Sequence, residues 1–410
     1  MSLTSSLLLP IFFSRRAATT TTVSRAGLAA SALAAALLLG GCVSNPPAAQ
    51  TGPRSLPQAV QQLADDLVAQ TNPTVIERMK SRKLVLDPFI DAKSGQQTKT
   101  TKQVGDLFAR NLQERKGNLQ LQAFSTAGVE QADYLIAGTI QQDEGGGQDY
   151  VLTSTITERR TSMVIARSVA RIRKDDIDAT PTAFYADSPS LVSDRLTQGY
   201  IRTSQTAVGS QADQAYLSSI NTAAVINEAD QAYETQRWND ALVRYQTAEQ
   251  RPDGKQLRVF NGLYNAYTKL SRPQEAETAF SQIVALGLGT NNLSVRLLFN
   301  PGTTEFWKDS SVATAYPMWL KHIAHETVQG EYCLNVIGHT SRTGTEAGNA
   351  RLSLNRAKYV RDVLVQNDKK LATRVEVDGV GWKYNIIGSG TDDVRDSLDR
   401  RVEFKVKSCK

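Results

Sequence analysis

The side chains whose types and spacing could do chemistry are concentrated in residues 334–364. The apolar Leu334, Val336 and Ile337 lead into Gly338, His339 and Thr340, and a polar, glycine-containing turn follows. From about Asn349 onward apolar residues recur at helical spacing: Leu352, Leu354, Ala357, Val360, Val363 and Leu364. A strand, a turn and a helix in that order place polar groups at the carboxyl end of a strand beside a helix N-terminus. The first helical amides are unpaired there and carry partial positive charge, which suits an anionic ligand. Arg351, Arg356 and Arg361 strengthen that bias.

Other chemistries find less support. His322 and His325 are three apart on a helical pattern and precede Glu326, an order that fits neither zinc-peptidase arrangement. The chain has 3 histidines and no nucleophile elbow, so a catalytic triad is not expected. Gly145, Gly146 and Gly147 lack the lysine–hydroxyl pair and strand–helix setting of a phosphate loop and read as a hairpin turn. No enzymatic activity, cofactor or metal is expected.

The elements that must position the site begin far upstream. Arg25 precedes an apolar stretch at 28–39, too short for a confident membrane span, which ends in Leu39, Gly40, Gly41 and Cys42. This pattern resembles a bacterial lipobox. The resemblance implies cleavage of a signal peptide, residues 1–41, and acylation of Cys42. It also implies residence at the outer membrane, facing the periplasm. Removing Arg15, Arg16 and Arg25 from 47 basic and 41 acidic residues leaves 44 against 41, a balance that argues against a nucleic-acid partner. Residues 42–55, rich in Pro, Ala, Gln, Ser and Gly, read as a flexible tether that could extend roughly 45–50 Å. In an oxidising periplasm Cys333 and Cys409 are candidates for a disulfide; two buried thiols are the alternative.

Residues 56–173 alternate helical and strand patterns and predict a compact α/β domain. Helices are expected at 56–70 and 101–116, and strands at 83–88, 119–124, 134–140, 150–156 and 163–172. The phrases LVLDPFID, VGDLFARNL, ADYLIAGTI and MVIARSVARI resemble the α/β domain of FlgO-type and LpoB-type outer-membrane lipoproteins, which implies a protein-binding module. Residues 174–205, rich in Asp, Ser, Thr and Pro, read as a connection with little regular structure, with a short helix expected to begin near Ser190. Residues 206–288 are helical throughout. Ala241, Tyr245 and Ala248 are echoed 35 residues later by Ala276, Phe280 and Ile283. That offset resembles tetratricopeptide repeats, which implies a concave protein-binding surface. Two repeats cannot close a core, so the helical segment at 211–217 or the next domain should cap them.

Residues 293–410 predict β-α-β-α-β-β order, with strands at 293–299, 331–337, 374–380 and 401–406 and helices at 313–327 and 349–366. With the phrases FNPGTTEF, IGHTSRTG, NARLSLNRAKYV, DGVGW and LDRRVEF, this resembles the OmpA-like peptidoglycan-binding domain. The resemblance implies a ligand: the diaminopimelate side chain of the peptidoglycan stem peptide, whose carboxylate and amine need an arginine and an aspartate. The arginine falls on Arg356 within LSLNRA, and Asn349 matches the asparagine that caps the helix, where it either contacts ligand or holds the helix start. Asn300 sits where a loop offers backbone donors, and Thr340 lies in the Gly-His-Thr turn. The aspartate position holds Ser341, which supplies a hydroxyl but no charge. Losing one charge-assisted hydrogen bond of ~1.5–3 kcal/mol weakens binding roughly ten- to a hundredfold. Asp392, Asp393, Asp396 and Asp399 are candidates to restore the charge. His339 is expected to bond within its turn. Of Arg400 and Arg401, one is expected to pair with an acid and the other to be solvated.

The expected fold class is therefore multidomain α+β: an α/β domain, tetratricopeptide-like hairpins and an OmpA-like domain. The expected function is a non-catalytic outer-membrane lipoprotein that joins the membrane to peptidoglycan and recruits an envelope protein. The alternative is a scaffold whose OmpA-like domain has lost its ligand.

Overall fold

The structure is a computed structural model that describes residues 52–71, 82–114, 119–143, 149–307, 313–388, 390 and 395–409. Cys42, most of the tether, the three-glycine turn, Asp392 and Asp393 lie outside the described residues.

The first part is built on a mixed sheet. Helix α1 (Leu56–Gln70) buries Leu56, Val60, Leu63 and Leu67, one per turn, so one face is apolar. Strands β1 (Arg82–Leu86), β2 (Ile90–Asp91), β3 (Leu119–Gln122), β4 (Tyr134–Gln142), β5 (Tyr150–Glu158) and β6 (Met163–Ile172) form one sheet. Its order is β3-β1-β4-β5-β6, with β2 pairing β4. Strand β1 runs parallel to β3 and β4, while β4, β5 and β6 are antiparallel. The parallel strands need crossovers, supplied by α2 (Lys99–Gln113) and α3 (Thr126–Gln131). Helices α1 and α2 cover one face, where Phe89 and Phe108 meet at 5.9 Å.

The other face shows that 174–205 is more than a connection with one short helix near Ser190. This segment holds α4 (Ala183–Asp187) and α5 (Arg195–Gln205), and α5 is part of the first core. Its buried face carries Tyr200, Ile201, Thr203 and Ser204. Tyr200 Oη lies 2.8 Å from Gly138 N and 2.9 Å from both Pro88 O and Gly138 O. Ser204 Oγ meets Thr139 Oγ1 at 3.0 Å, and Thr155 Oγ1 donates to Thr203 O at 3.1 Å. Polar residues that read as loop are here a buried hydroxyl seam, satisfied by the sheet. Tyr200→Phe is expected to cost about 1–3 kcal/mol by orphaning these buried groups, measured as a lowered denaturant midpoint.

Helices α6 (Gln214–Ser218), α7 (Ile220–Glu234), α8 (Trp238–Glu249), α9 (Leu257–Lys269) and α10 (Pro273–Gly289) follow. Packing is closest between chain neighbours, α7 with α8, α8 with α9 and α9 with α10. Ala241, Ala248, Ala276 and Ala279 are buried, so the axes approach closely. The turns after α7 and α9 place Gln236 and Ser271 at positive φ, 59° and 57°, separated by the same 35 residues as the side-chain pattern. A Cβ on Gly262 would overlap the Tyr245 ring. Gly262→Ala is therefore expected to cost about 1–3 kcal/mol through overpacking, read as a lowered melting temperature.

The last part contains β7 (Leu293–Val295), α11 (Tyr316–Gln329), β8 (Cys333–Gly338), α12 (Glu346–Asn367), β9 (Val375–Gly379) and β10 (Val402–Lys407). The sheet order is β7-β10-β8-β9, with β8 and β9 parallel and β10 antiparallel to both β7 and β8. Strand β7 is shorter than expected because the chain leaves the ladder after Val295. The outer edge of β7 is paired instead with the connection: Leu191 N donates to Ser294 O and Arg296 N to Pro189 O, each at 3.0 Å. Buried Arg296 donates from Nη1 to Tyr185 O, Ala186 O and Ser188 O, covering carbonyls at the end of α4.

The helices and the last part share one hydrophobic core. Trp319 stacks on Phe280 at 5.3 Å and donates Nε1–H to Tyr264 Oη at 3.1 Å. Ser281 Oγ donates to Glu326 Oε1 at 2.8 Å. Residues 51–410 thus form one compact unit rather than separate beads. A disulfide joins Cys333 to Cys409, with Cα atoms 5.2 Å apart.

Candidate functional site

Strand β8 ends at Gly338, and the chain turns through 339–345 into α12. Gly338 is needed there because any Cβ would strike Ser353 O on the helix. The helix begins at Glu346, earlier than the apolar spacing predicts, and Thr345 is its cap: Gly348 N donates to Thr345 Oγ1 at 3.1 Å. Asn349 is therefore not the helix cap, although it holds the helix start, one of the two roles open to it from the sequence. It lies in the first turn, and its Nδ2 donates to Thr343 O at 2.6 Å and Thr345 O at 3.1 Å, pinning the loop onto the helix. The missed signal was Thr345 itself, a hydroxyl residue four positions before Asn349.

Arg356 lies two turns along the same helix. Its Nε donates to Thr303 O at 3.0 Å and its Nη2 to Asn300 O at 3.1 Å, with the guanidinium 4.9 Å from the centre of the Phe299 ring. The structure therefore brings Arg356 and Asn300 together, but in a role other than the one expected. Asn300 offers a carbonyl acceptor to the arginine, while its own N–H donates to Glu305 O at 2.9 Å. Ser341 Oγ sits 3.5 Å from Thr343 Oγ1. Thr340 N donates to Gly381 O at 3.0 Å, and Thr340 Oγ1 is buried without a hydrogen-bond partner. Thr340, Ser341, Asn349 and Arg356 are only 1–6% exposed, so the site is closed in this state.

Three further expectations are corrected. His339 donates its backbone N–H to Arg401 O, but neither ring nitrogen is hydrogen-bonded; Nε2 is 3.5 Å from Glu403 Oε1 without alignment for a bond. Burial, reinforced by Arg401, pushes its pKa down to about 3, so the ring is neutral. Arg401 pairs with Glu403, at 2.9 Å through Nε and 2.6 Å through Nη2, and Arg400 is buried rather than solvated. Asp399 does not replace the missing charge. Its carboxylate accepts from Ile386 N at 2.6 Å, Ile387 N at 3.1 Å and Gly388 N at 2.7 Å, and so holds a loop. Asp396 is likewise fully buried.

Away from this site, His322 Nε2 is 2.7 Å from Glu277 Oε1, whereas His325 is exposed. Among the described residues no cluster of three or more His, Cys, Asp or Glu could hold a metal ion. Among the same residues no helix is long and apolar enough to cross a membrane.

Comparison with known proteins bears on the last part of the chain. The OmpA family profile matches residues 298–398. Outer membrane porin F of Pseudomonas aeruginosa is 40% identical over 73 residues, 18% of this chain and 21% of that protein. Outer membrane protein A of Shimwellia blattae is 40% identical over 80 residues, 18% of this chain and 33% of that protein. The chain thus spans a fifth to a third of the length of these relatives. Among solved structures, the peptidoglycan-associated lipoprotein from Burkholderia pseudomallei is 19% identical, covering 27% of this chain and 88% of that one, with a TM-score of 0.23. Residues 298–398 are an OmpA-like domain within a mixed α/β chain.

Proposed function

We propose that the chain is a non-catalytic outer-membrane lipoprotein, anchored through acylated Cys42, that links the membrane to peptidoglycan and recruits an envelope protein through its α/β part and tetratricopeptide-like helices. The observation that carries the reading is the OmpA family match over the stretch that contains Arg356. The LSLNRA helix places that guanidinium among the backbone carbonyls of the loop after β7, where a stem-peptide carboxylate could exchange for them. The names of the two relatives, both outer-membrane proteins, support the location. The pattern ending in Cys42 supports the anchor.

The test is co-sedimentation of the purified full chain, in detergent, with isolated peptidoglycan sacculi. Retention is expected, and Ser341→Asp, which restores a carboxylate for the ligand amine, is expected to strengthen it about tenfold. No retention of either protein counts against the reading. It would favour the second one, a protein scaffold without a wall ligand, which the uncharged Ser341 and the carbonyl contacts of Arg356 also support.

A further inference from the structure

The loop at 381–388 joins two places that no sequence pattern connects. At its start, Gly381 O accepts from Thr340 N at 3.0 Å and Gly381 N donates to Ser353 Oγ at 2.9 Å, so it is bonded to both walls of the candidate site. In its middle, Tyr384 O accepts from Arg401 Nη2 at 3.2 Å. At its far end, Ile386 and Ile387 face the first part of the chain across a cavity of about 20 Å³, room for one water. The opposite wall includes Asp91, Lys93, Thr98 and Thr100. Both sides are fixed by carboxylates. Asp399 gathers the amides of 386, 387 and 388, and Asp91 Oδ1 accepts from Lys93 N and Ser94 N at 3.1 and 2.7 Å. Between the two ends, both amide atoms of Asn385 are buried without a hydrogen-bond partner, an unfavourable placement.

We propose that this contact is autoinhibitory: the first part of the chain, by holding Ile386 and Ile387, keeps the OmpA-like site closed. Thr340 and Ser341 are buried, so a ligand can reach them only if their loop moves outward. That movement breaks the bond from Thr340 N to Gly381 O and draws on the 381–388 loop, whose far end lines one small cavity with Asp91, Lys93, Thr98 and Thr100. A partner that captures the first part and releases Ile386 and Ile387 therefore opens the site, and a ligand in the site loosens that contact in return, since coupling between two sites is reciprocal.

The identity of the ligand rests on the proposed function, but the contact does not, and the experiment separates them. In the full chain carrying Ile386→Ser and Ile387→Ser, amide hydrogen exchange at Thr340 is expected to accelerate at least tenfold, with exchange in the strands of both sheets unchanged. Exchange at Thr340 equal to that of the unaltered chain overturns the proposal, and so does acceleration spread through both sheets. In a second arm, a soluble muropeptide bearing the diaminopimelate stem is expected to bind the variant about tenfold more tightly. Simple damage would weaken binding, so equal or weaker binding by the variant also overturns the proposal. If neither protein binds while exchange at Thr340 accelerates locally, the contact stands and the peptidoglycan reading falls.

Discussion

Replacing Cys333 and Cys409 together by serine is expected to lower the unfolding free energy of the OmpA-like part by about 4 kcal/mol. The bond closes a loop with a sequence separation of 76, and the entropy withdrawn from an unfolded chain by a ring of that size is worth about 4 kcal/mol. The ring contains Thr340, Ser341, Asn349, Arg356 and Asp399, so most of the candidate site lies between its two cysteines, with Asn300 outside it. Cys333 opens β8, and Cys409 follows β10, its antiparallel neighbour, so the bond also staples the two central strands at one end. Denaturant unfolding followed by tryptophan fluorescence checks this, because Trp319 is buried in the shared core. The midpoint should fall in the double variant, and reductant should lower the midpoint of the unaltered chain by the same amount. A midpoint insensitive to both treatments would show that the bridge adds nothing.

The second large effect is a dependence on pH. Asp87 follows β1 and is buried against α5, α6 and α9; Tyr216 Oη donates to its Oδ2 at 2.8 Å. Burial raises its pKa from 3.8 to about 7, against the opposing influences of the Tyr216 hydrogen bond and the charge of Arg258. Asp230, which is paired with Arg258, also faces this region. The folded state keeps the Asp87 proton to higher pH than the unfolded state does. Stability from this group is therefore fully present below about pH 4, declines between about 4 and 7, and stays low above that, a change of about 4 kcal/mol. Asp87→Asn keeps a hydrogen-bond acceptor and removes the titration. The variant should melt close to the unaltered chain at pH 4 and well above it at pH 8. A difference in melting temperature that stays constant across that interval would exclude Asp87 as the source.

What the residues made legible, and what they did not, follows from where the information lies. The six-element order of the OmpA-like part could be read because each element has an apolar face of its own, as in Leu320 and Ile323 on α11 or Leu334 and Val336 on β8. Arg356 stood out through its motif, but the carbonyls of Asn300 and Thr303 as its partners did not. Which role Asn349 takes was not legible, since a hydrogen bond to Thr343 O depends on how the loop folds back. A short helix near α5 was expected but its burial was not, because the buried face includes Tyr200, Thr203 and Ser204, whose hydroxyls look solvated until the sheet that satisfies them is in place. Arg296 and Asp87, and the loop-holding role of Asp399, were invisible for a related reason. A buried charge is identified by its partners, and theirs come from segments 11 to 129 residues away.

Strand β7 has only three residues, yet it is clasped on both sides, by β10 on one edge and by residues 189–191 on the other. Helix α10 comes before it, and the 300–303 loop that holds Arg356 comes just after it. A pull applied to that loop and resisted by the helices thus runs lengthwise along β7. The rungs on its two edges are loaded together, in shear, and must yield as a group; they do not peel one at a time. This three-residue strand is thereby a mechanical coupling, strong along its own axis and weak to a force that lifts either edge.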